Sequence, residues 1–295
     1  MTSAVAASLV GFYVTRRVVR PLRALTRASR RIAGGRYSQR LAVRAPGEIR
    51  DLATAFNTMA ENLERSEERR VQLIADLAHE FRTPLSNLRG YLEGLEDGVF
   101  RPEELAAPVI RQVERLSRLA DDLSLLSRVE TGQLELHPAV VEAEDLLSAA
   151  ADAFRPRFEA KGVVLDLRPG RGGLSVWADE ERVGQVLSNL VANALRHTPQ
   201  NGSVTLTAAP TDDGMVRFEV IDTGDGIPPE LHGLVFNRFY RGDRARAQVD
   251  GSGSGIGLTL AKQLVERQGG EIGVHSRGRE GSRLWFTLPT RPTAR

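Results

Sequence analysis

Four groups of residues in this chain have the types and spacing to do chemistry, and the first is a histidine directly followed by a carboxylate, His79-Glu80. Imidazole titrates near neutrality. A carboxylate that hydrogen-bonds one ring nitrogen raises the basicity of the other, so the pair suits a nucleophile or a proton acceptor. A surface histidine on its own is more often simply solvated. The second group is Asn189 and Asn193, at i and i+4. Two carboxamide oxygens on one helix face can hold a hydrated magnesium ion whose other ligands are water and nucleotide phosphates; the same pair equally makes an ordinary polar surface. The third is Asp222-Thr223-Gly224-Asp225-Gly226-Ile227. A fixed Asp222 carboxylate would accept from the exocyclic amine of adenine but oppose the carbonyl of guanine, selecting ATP over GTP, while a plain Asp-Gly turn is the competing reading. The fourth is the run Gly251-Ser252-Gly253-Ser254-Gly255-Ile256-Gly257, which opens directly into a helical pattern. Bare amides and the positive end of a helix dipole suit phosphate, although glycine runs also serve as linkers. The two lysines, Lys161 and Lys262, do not follow P-loop spacing, and the glycine run lacks the dinucleotide-binding register, so neither of those phosphate motifs applies.

The elements that must position these groups are legible in the apolar periodicity. Ile74, Leu77, Phe81, Leu85, Leu88, Leu92 and Leu95 recur at helical steps. His79 falls about 200° from Leu77 and faces away from that seam. Pro84 removes a backbone donor, frees the Glu80 carbonyl and predicts a kink. Gly98 to Pro102 breaks the helix, and Pro108 to Ser127, with Val113, Leu116, Leu119, Leu123 and Leu126, reads as a return helix. Two such hairpins would form a dimeric four-helix bundle. Downstream, Asp179 is an N-cap for a helix over Arg182 to Arg196 that buries Val183, Val186, Leu187, Leu190, Val191 and Ala194. Strands are predicted at Val163 to Leu167, Ser203 to Ala209, Met215 to Ile221, Glu271 to His275 and Arg283 to Leu288, with a further helix over Leu258 to Val265. Alternating with helices, they imply a two-layer α/β sandwich.

The segment His-Glu-x-x-Thr-Pro-Leu at residues 79–85 resembles the phosphoacceptor box of bacterial sensor histidine kinases. Asn189/Asn193, Asp222-x-Gly224-x-Gly226, Phe236-Asn237-Arg238-Phe239-Tyr240-Arg241 and Gly253-x-Gly255-x-Gly257 resemble, in order, the N, G1, F and G2 boxes of the ATPase domain of the same family, of the GHKL (Bergerat) type. The resemblance implies that His79 takes a phosphoryl group, that Glu80 is the general base, and that Thr83 orients water in the reverse, phosphatase reaction. It implies Asn193 as the Mg2+ ligand with Asn189 a further candidate, and Asn189, Arg196 and His197 along the phosphates. Asp222 would read adenine, and Phe236 and Phe239 would anchor an ATP lid running from Gly226 to Gly255. Arg238, Arg241, Arg244 and Arg246 in that lid are candidates for phosphate contact.

Upstream, Val18, Leu22, Leu25, Ser29 and Ile32 keep a heptad, Gly34-Gly35 and Pro46-Gly47 bracket a connector, and Ile49, Leu52, Phe56, Met59 and Leu63 resume the heptad. Two such helices cannot bury their seams alone and would do so as a parallel dimer. The pattern resembles a HAMP linker, with a simple dimerising coiled coil as the alternative. Ser3 to Val14 is apolar and is followed by Arg16, Arg17, Arg20 and Arg23, a charge order that fits the cytoplasmic end of a membrane helix. The expected division is therefore 1–15 as the end of a transmembrane helix, 16–68 as the HAMP linker, 69–131 as the dimerisation and histidine-phosphotransfer domain, 132–290 as the ATP-binding domain, and 291–295 as a loose tail. The 295 residues contain no cysteine, which excludes disulfides and thiolate metal sites. A net charge of +2 gives no argument for nucleic acid, since with so few groups titrating above neutrality a small excess suffices to set the pI near 9.3. The expected protein is a homodimeric, membrane-attached ATP-dependent histidine kinase with its catalytic portion in the cytoplasm, passing its phosphoryl group to the aspartate of a separate response regulator. The alternatives are a conformational ATPase of the same superfold and a receptor that is mainly a phosphatase or scaffold.

Overall fold

The computed structural model describes residues 8–9, 11–42, 47–168, 170, 173–240, 255–276 and 280–291. The chain divides into two compact units, Met1–His79 and Glu80–Arg295.

In the first unit a π-helical turn, Thr15–Val19, leads without a break into helix α1 (Arg20–Ala33), with Pro21, which has no N–H to donate to the preceding turn, at the junction. A connector joins α1 to α2 (Glu48–Glu96), a single helix of 49 residues that runs unbroken through Pro84. Ala28 and Ile32 pack on Phe56 and Ala60, with Leu25, Tyr37 and Leu41 at the margin. Ser29, which the heptad reading puts in the stripe that a second copy would cover, is exposed in the single chain, and the neighbouring Ala28 packs on α2. Asn57 fixes the connector, accepting from the Leu41 amide at 2.8 Å and donating to the Leu41 carbonyl at 3.0 Å. Val18, Leu22, Leu52, Met59 and Leu63 remain exposed, as expected of a seam that a single chain cannot close.

The second unit contains a helical hairpin and an α/β module. The end of α2 turns at 97–101 into α3 (Pro102–Glu130). This helix begins earlier than the expected Pro108. Pro102 occupies its first turn and the Glu104 carboxylate accepts from the Arg101 amide at 3.0 Å, so the start is capped and Pro108 lies inside the helix.

The α/β module runs β1 (Ala139–Glu142), α4 (Ala143–Lys161), β2 (Val164–Arg168), β3 (Ser175–Ala178), α5 (Glu180–His197), β4 (Ser203–Pro210), β5 (Met215–Asp222), a 3-10 turn at Pro229–Leu231, α6 (Gly257–Arg267), β6 (Ile272–Ser276) and β7 (Ser282–Pro289). The five-stranded sheet has the order β2-β4-β5-β7-β6, parallel only between β2 and β4. Of the seven strands among the described residues, the sequence reading named five. It missed β1 and β3, four residues each, which pair antiparallel in a separate ribbon too short to show alternation. Val204, Leu206, Val216, Phe218, Val220, Leu284, Phe286 and Leu288 form the buried face of the sheet in one core with Leu147, Phe158, Leu187, Leu190, Ile256 and Leu264 of the helical layer. The Phe218 and Phe286 rings stack at 4.8 Å between centroids, worth about 1 kcal/mol beyond their burial. The two-layer sandwich expected from the alternation is the fold found.

Candidate active site

Helix α5 sets one wall of the site. Asp179 caps it, its Oδ1 accepting from the Arg182 amide at 3.1 Å and its Oδ2 from the His137 amide at 2.8 Å. The six apolar residues expected to be buried on α5 are all fully enclosed. That register leaves Asn189 and Asn193 half-buried, one turn apart on the flank of the helix. The C-terminal end of α5 is tied down by Lys161, whose ammonium donates to the carbonyls of Leu195 (2.6 Å) and Arg196 (3.0 Å). Burial first, and then Arg196, lower the Lys161 pKa. Desolvation followed by the charges of Arg196 and Lys161 holds the His197 imidazole below its usual range, against an opposing pull from Asp225, although part of the ring reaches solvent. The carbonyl face of α5 therefore ends among Lys161, Arg196 and His197.

The floor is Asp222, the last residue of β5 and only 4% exposed. One carboxylate oxygen, Oδ1, accepts from the amides of Gly224 (2.9 Å) and Ser282 (3.3 Å). Burial raises the Asp222 pKa and those two amides oppose the rise. Gly224 passes so close to the end of α5 that a Cβ there would strike the His197 carbonyl oxygen and sit 2.8 Å from Asp222 Oδ1. Gly226 follows with a positive φ. The far side is closed by the segment around Phe236. Phe236 is buried and its carbonyl accepts from Thr259 Oγ1 at 2.9 Å. Phe239, at φ 56°, donates its amide to the Gly255 carbonyl at 2.9 Å, and Gly255, itself at φ 68°, leaves no room for a side chain against the Phe239 backbone. Gly257 begins α6 with the Asn189 side chain pressed against it.

The structure thus brings together Asn189, Asn193, Arg196, His197, Asp222, Gly224, Gly226, Phe236, Phe239, Gly255 and Gly257, residues spread over four sequence motifs. Arg238 is engaged by Glu130 at the end of α3, and Arg267 of α6 donates to the Val129 carbonyl beside it. Gly253, Arg241, Arg244 and Arg246 lie outside the described residues. On α2, His79 is exposed, as the helical phase predicts, and Thr83 is exposed one turn later. Glu80 is 9% exposed and its Oε2 accepts from Arg115 of α3 at 3.3 Å.

Three family models match the chain: the HAMP domain over residues 13–65, the His Kinase A (phospho-acceptor) domain over 69–132, and the histidine kinase-, DNA gyrase B- and HSP90-like ATPase over 178–292. The chain belongs to the HAMP-containing sensor histidine kinases. Among the relatives of this kinase are the signal transduction histidine-protein kinase BaeS of Escherichia coli strain K12, 35% identical over 268 residues, and the histidine-protein kinase/phosphatase MprB of Mycobacterium avium strain 104, 34% identical over 299 residues. The two matches cover 90% and 97% of this chain but 56% of each relative, so the chain spans little more than half their length. Among solved structures, the histidine kinase ThkA in complex with the response regulator TrrA superposes with a TM-score of 0.62 at 25% identity, covering 80% of this chain and 67% of that one.

Against that family, the donor set of this histidine kinase fits a nucleotide. A buried carboxylate has one oxygen committed to two amides, the Gly224 approach is side-chain-free, and Asn189 and Asn193 lie half-buried one turn apart with carboxamide oxygens of a kind that a hydrated magnesium ion takes. Sequence reasoning passed over Gly281-Ser282, which present the second amide to Asp222, and Thr223, whose hydroxyl accepts from the Ser203 amide at 2.9 Å and locks the turn. A Gly-Ser pair opening the last apolar alternation was the available signal. Its meaning depends on β5 pairing with β7, in register Asp222 to Ser282, which no local pattern reveals.

Proposed function

We propose that this chain is a two-component sensor kinase that phosphorylates its own His79 from ATP and hands the phosphoryl group to an aspartate of a separate response regulator. The observation that carries the reading is the coexistence, in one chain, of an outward-facing His79 followed by Glu80 and a nucleotide-shaped site built on Asp222. Asp222 would read the adenine amine, and Arg196 and His197 would line the phosphates. Asn193, with Asn189, would hold Mg2+, which when bound supplies charge neutralisation to the transferring group. One ring nitrogen of His79 bonds to the γ-phosphorus as the bond from that phosphorus to the bridging oxygen breaks and ADP departs. The proton on the opposite ring nitrogen passes to Glu80.

The kinase acts as a homodimer in this reading. Leu92 and Ile110 are 59% and 55% exposed, and Ile74, Leu85 and Val113 are likewise uncovered in the single chain. The relative named as both kinase and phosphatase supports phosphatase activity, in which Thr83 would assist, and the solved complex of ThkA with its regulator supports a response-regulator partner. Attachment to the membrane through the N-terminal segment rests on the HAMP match and on the arginines that follow Val14. Among the described residues no helix is long and apolar enough to cross a membrane.

The test is incubation of the chain, and of His79→Gln, with γ-labelled ATP and Mg2+. Acid-labile, alkali-stable label on the wild type alone is the expected result. Label that persists in His79→Gln moves the site, and ATP binding with no label on either protein overturns the kinase reading in favour of a scaffold or phosphatase.

A further inference from the structure

The ion pair between Arg115 and Glu80 has a character unlike the surface pairs on the same helices. Arg89 and Glu93 meet at i, i+4 on one exposed face of α2, with side chains 80% and 56% accessible, the kind of pair that contributes little. Arg115 and Glu80 join two different helices, α3 and α2, and their side chains are only 13% and 11% accessible. A carboxylate turned into a helical interface needs a charged, hydrogen-bonding partner to remain there. A guanidinium fixes a carboxylate in a plane better than an ammonium does. Glu80 immediately follows the phosphoacceptor, so the side chain whose orientation Arg115 fixes is the one assigned to take the His79 proton.

We infer that Arg115 is a positioning residue for phosphoryl transfer: it holds the Glu80 carboxylate at the α2–α3 crossing, and so sets how well Glu80 serves as the base for His79. The inference rests on the proposed kinase reading, in which Glu80 accepts that proton. In this role Arg115 acts through Glu80. The demand on its geometry is strict, because displacing a proton acceptor by about 1 Å can cost roughly 100-fold in rate.

The experiment compares Arg115→Gln, Arg115→Lys, Glu80→Gln and the double variant Glu80→Gln/Arg115→Gln in the full chain. The readout is the initial rate of acid-labile labelling against ATP concentration. Arg115→Gln is expected to lower kcat by about tenfold or more while leaving the KM for ATP within about twofold, since Arg115 lies on α3 and not among the residues around Asp222. Arg115→Lys should recover part of the loss. In the Glu80→Gln background, Arg115→Gln should add nothing, because the carboxylate it serves is gone. A wild-type rate in Arg115→Gln, a change confined to KM, or losses that multiply in the double variant would each overturn the positioning role. If Glu80→Gln labels at the wild-type rate, the assignment of Glu80 as base fails first, which separates the two failures. Thermal melting of each variant accompanies the rates. Should Arg115→Gln fail to fold, the kcat of Arg115→Lys, alone and combined with Glu80→Gln, decides the question by the same non-additivity.

Discussion

The α/β module and the helical hairpin lie in one compact unit and use their apolar residues in opposite ways. In the module the large aliphatic side chains of α5 other than Leu195 are fully enclosed within the same chain, and the Asp222 carboxylate is held by the amides of Gly224, just after β5, and Ser282 of β7. In the hairpin only one face is satisfied within the chain: Leu119, Leu126 and Val129 join the module's core, while Leu85, Leu92, Ile110 and Val113 stay open. The module is complete as a single copy, and the hairpin is half of something. On the proposed reading, the nucleotide site can therefore form in a monomer, whereas the helix that carries His79 needs a second copy to close its seam.

That contrast breaks if the open face can be made polar without consequence. Leu92→Asp places a charge at a position already solvated in the single chain, so the isolated protomer should lose little stability. In a four-helix dimer the same change buries two unpaired carboxylates and should weaken association by about a thousandfold. Sedimentation equilibrium is expected to show a monomer, while ATP binding by titration calorimetry stays at the wild-type value. A variant that remains dimeric would place the interface elsewhere.

The module offers the converse test, a change that harms the ligand site but not the fold. Asn in place of Asp222 keeps an oxygen for the Gly224 and Ser282 amides and removes the buried charge, so ATP should bind about 10- to 100-fold more weakly. Stability should move the other way. A carboxylate whose pKa is raised in the folded protein holds its proton more tightly there than in the unfolded chain. Its favourable contribution is therefore present below the ordinary value of 3.8 and is lost as pH rises through the folded value. At pH 7 the ionised Asp222 is a cost that Asp222→Asn removes. The variant is expected to melt no lower than wild type at pH 7, with the difference shrinking as pH falls through the raised pKa toward 3.8. Equal destabilisation at both pH values would mean that the two amide bonds, and not the charge, dominate the site.

What could be read in advance follows the same division. The phase of α2 put His79 outside, and the spacing of Val183 to Ala194 put Asn189 and Asn193 on the flank of α5, because helical periodicity is local. Asp222 was legible as a strand end beside glycines. Its second amide from Ser282 was not, nor were Arg115 as the partner of Glu80, Glu130 as that of Arg238, and Lys161 as the cap of α5, since each depends on elements brought together from far apart in sequence. Ala28 was not legible for a related reason: a heptad describes the stripe offered to a symmetric partner, where Ser29 stays exposed beside Leu22, while the α1–α2 contact within one chain selects the neighbouring residue.

A smaller perturbation probes how the module holds the segment that closes its site. Thr259 lies in the first turn of α6, is almost fully buried, and donates to the Phe236 carbonyl at 2.9 Å. Val matches Thr in shape and lacks the hydroxyl, so Thr259→Val strands a buried carbonyl and should cost about 1 kcal/mol in urea-unfolding stability. The distinction lies in what accompanies that cost. Phe236 is buried, and Phe239 is tied to Gly255 by the bond from its amide to the Gly255 carbonyl. If the Thr259 bond sets the pose of that segment, ATP affinity should fall about fivefold, the equivalent of the same 1 kcal/mol, while the oligomeric state is unchanged. If stability falls and affinity does not, the bond belongs to the core alone and the segment is held by Phe236 packing and the Phe239–Gly255 pair.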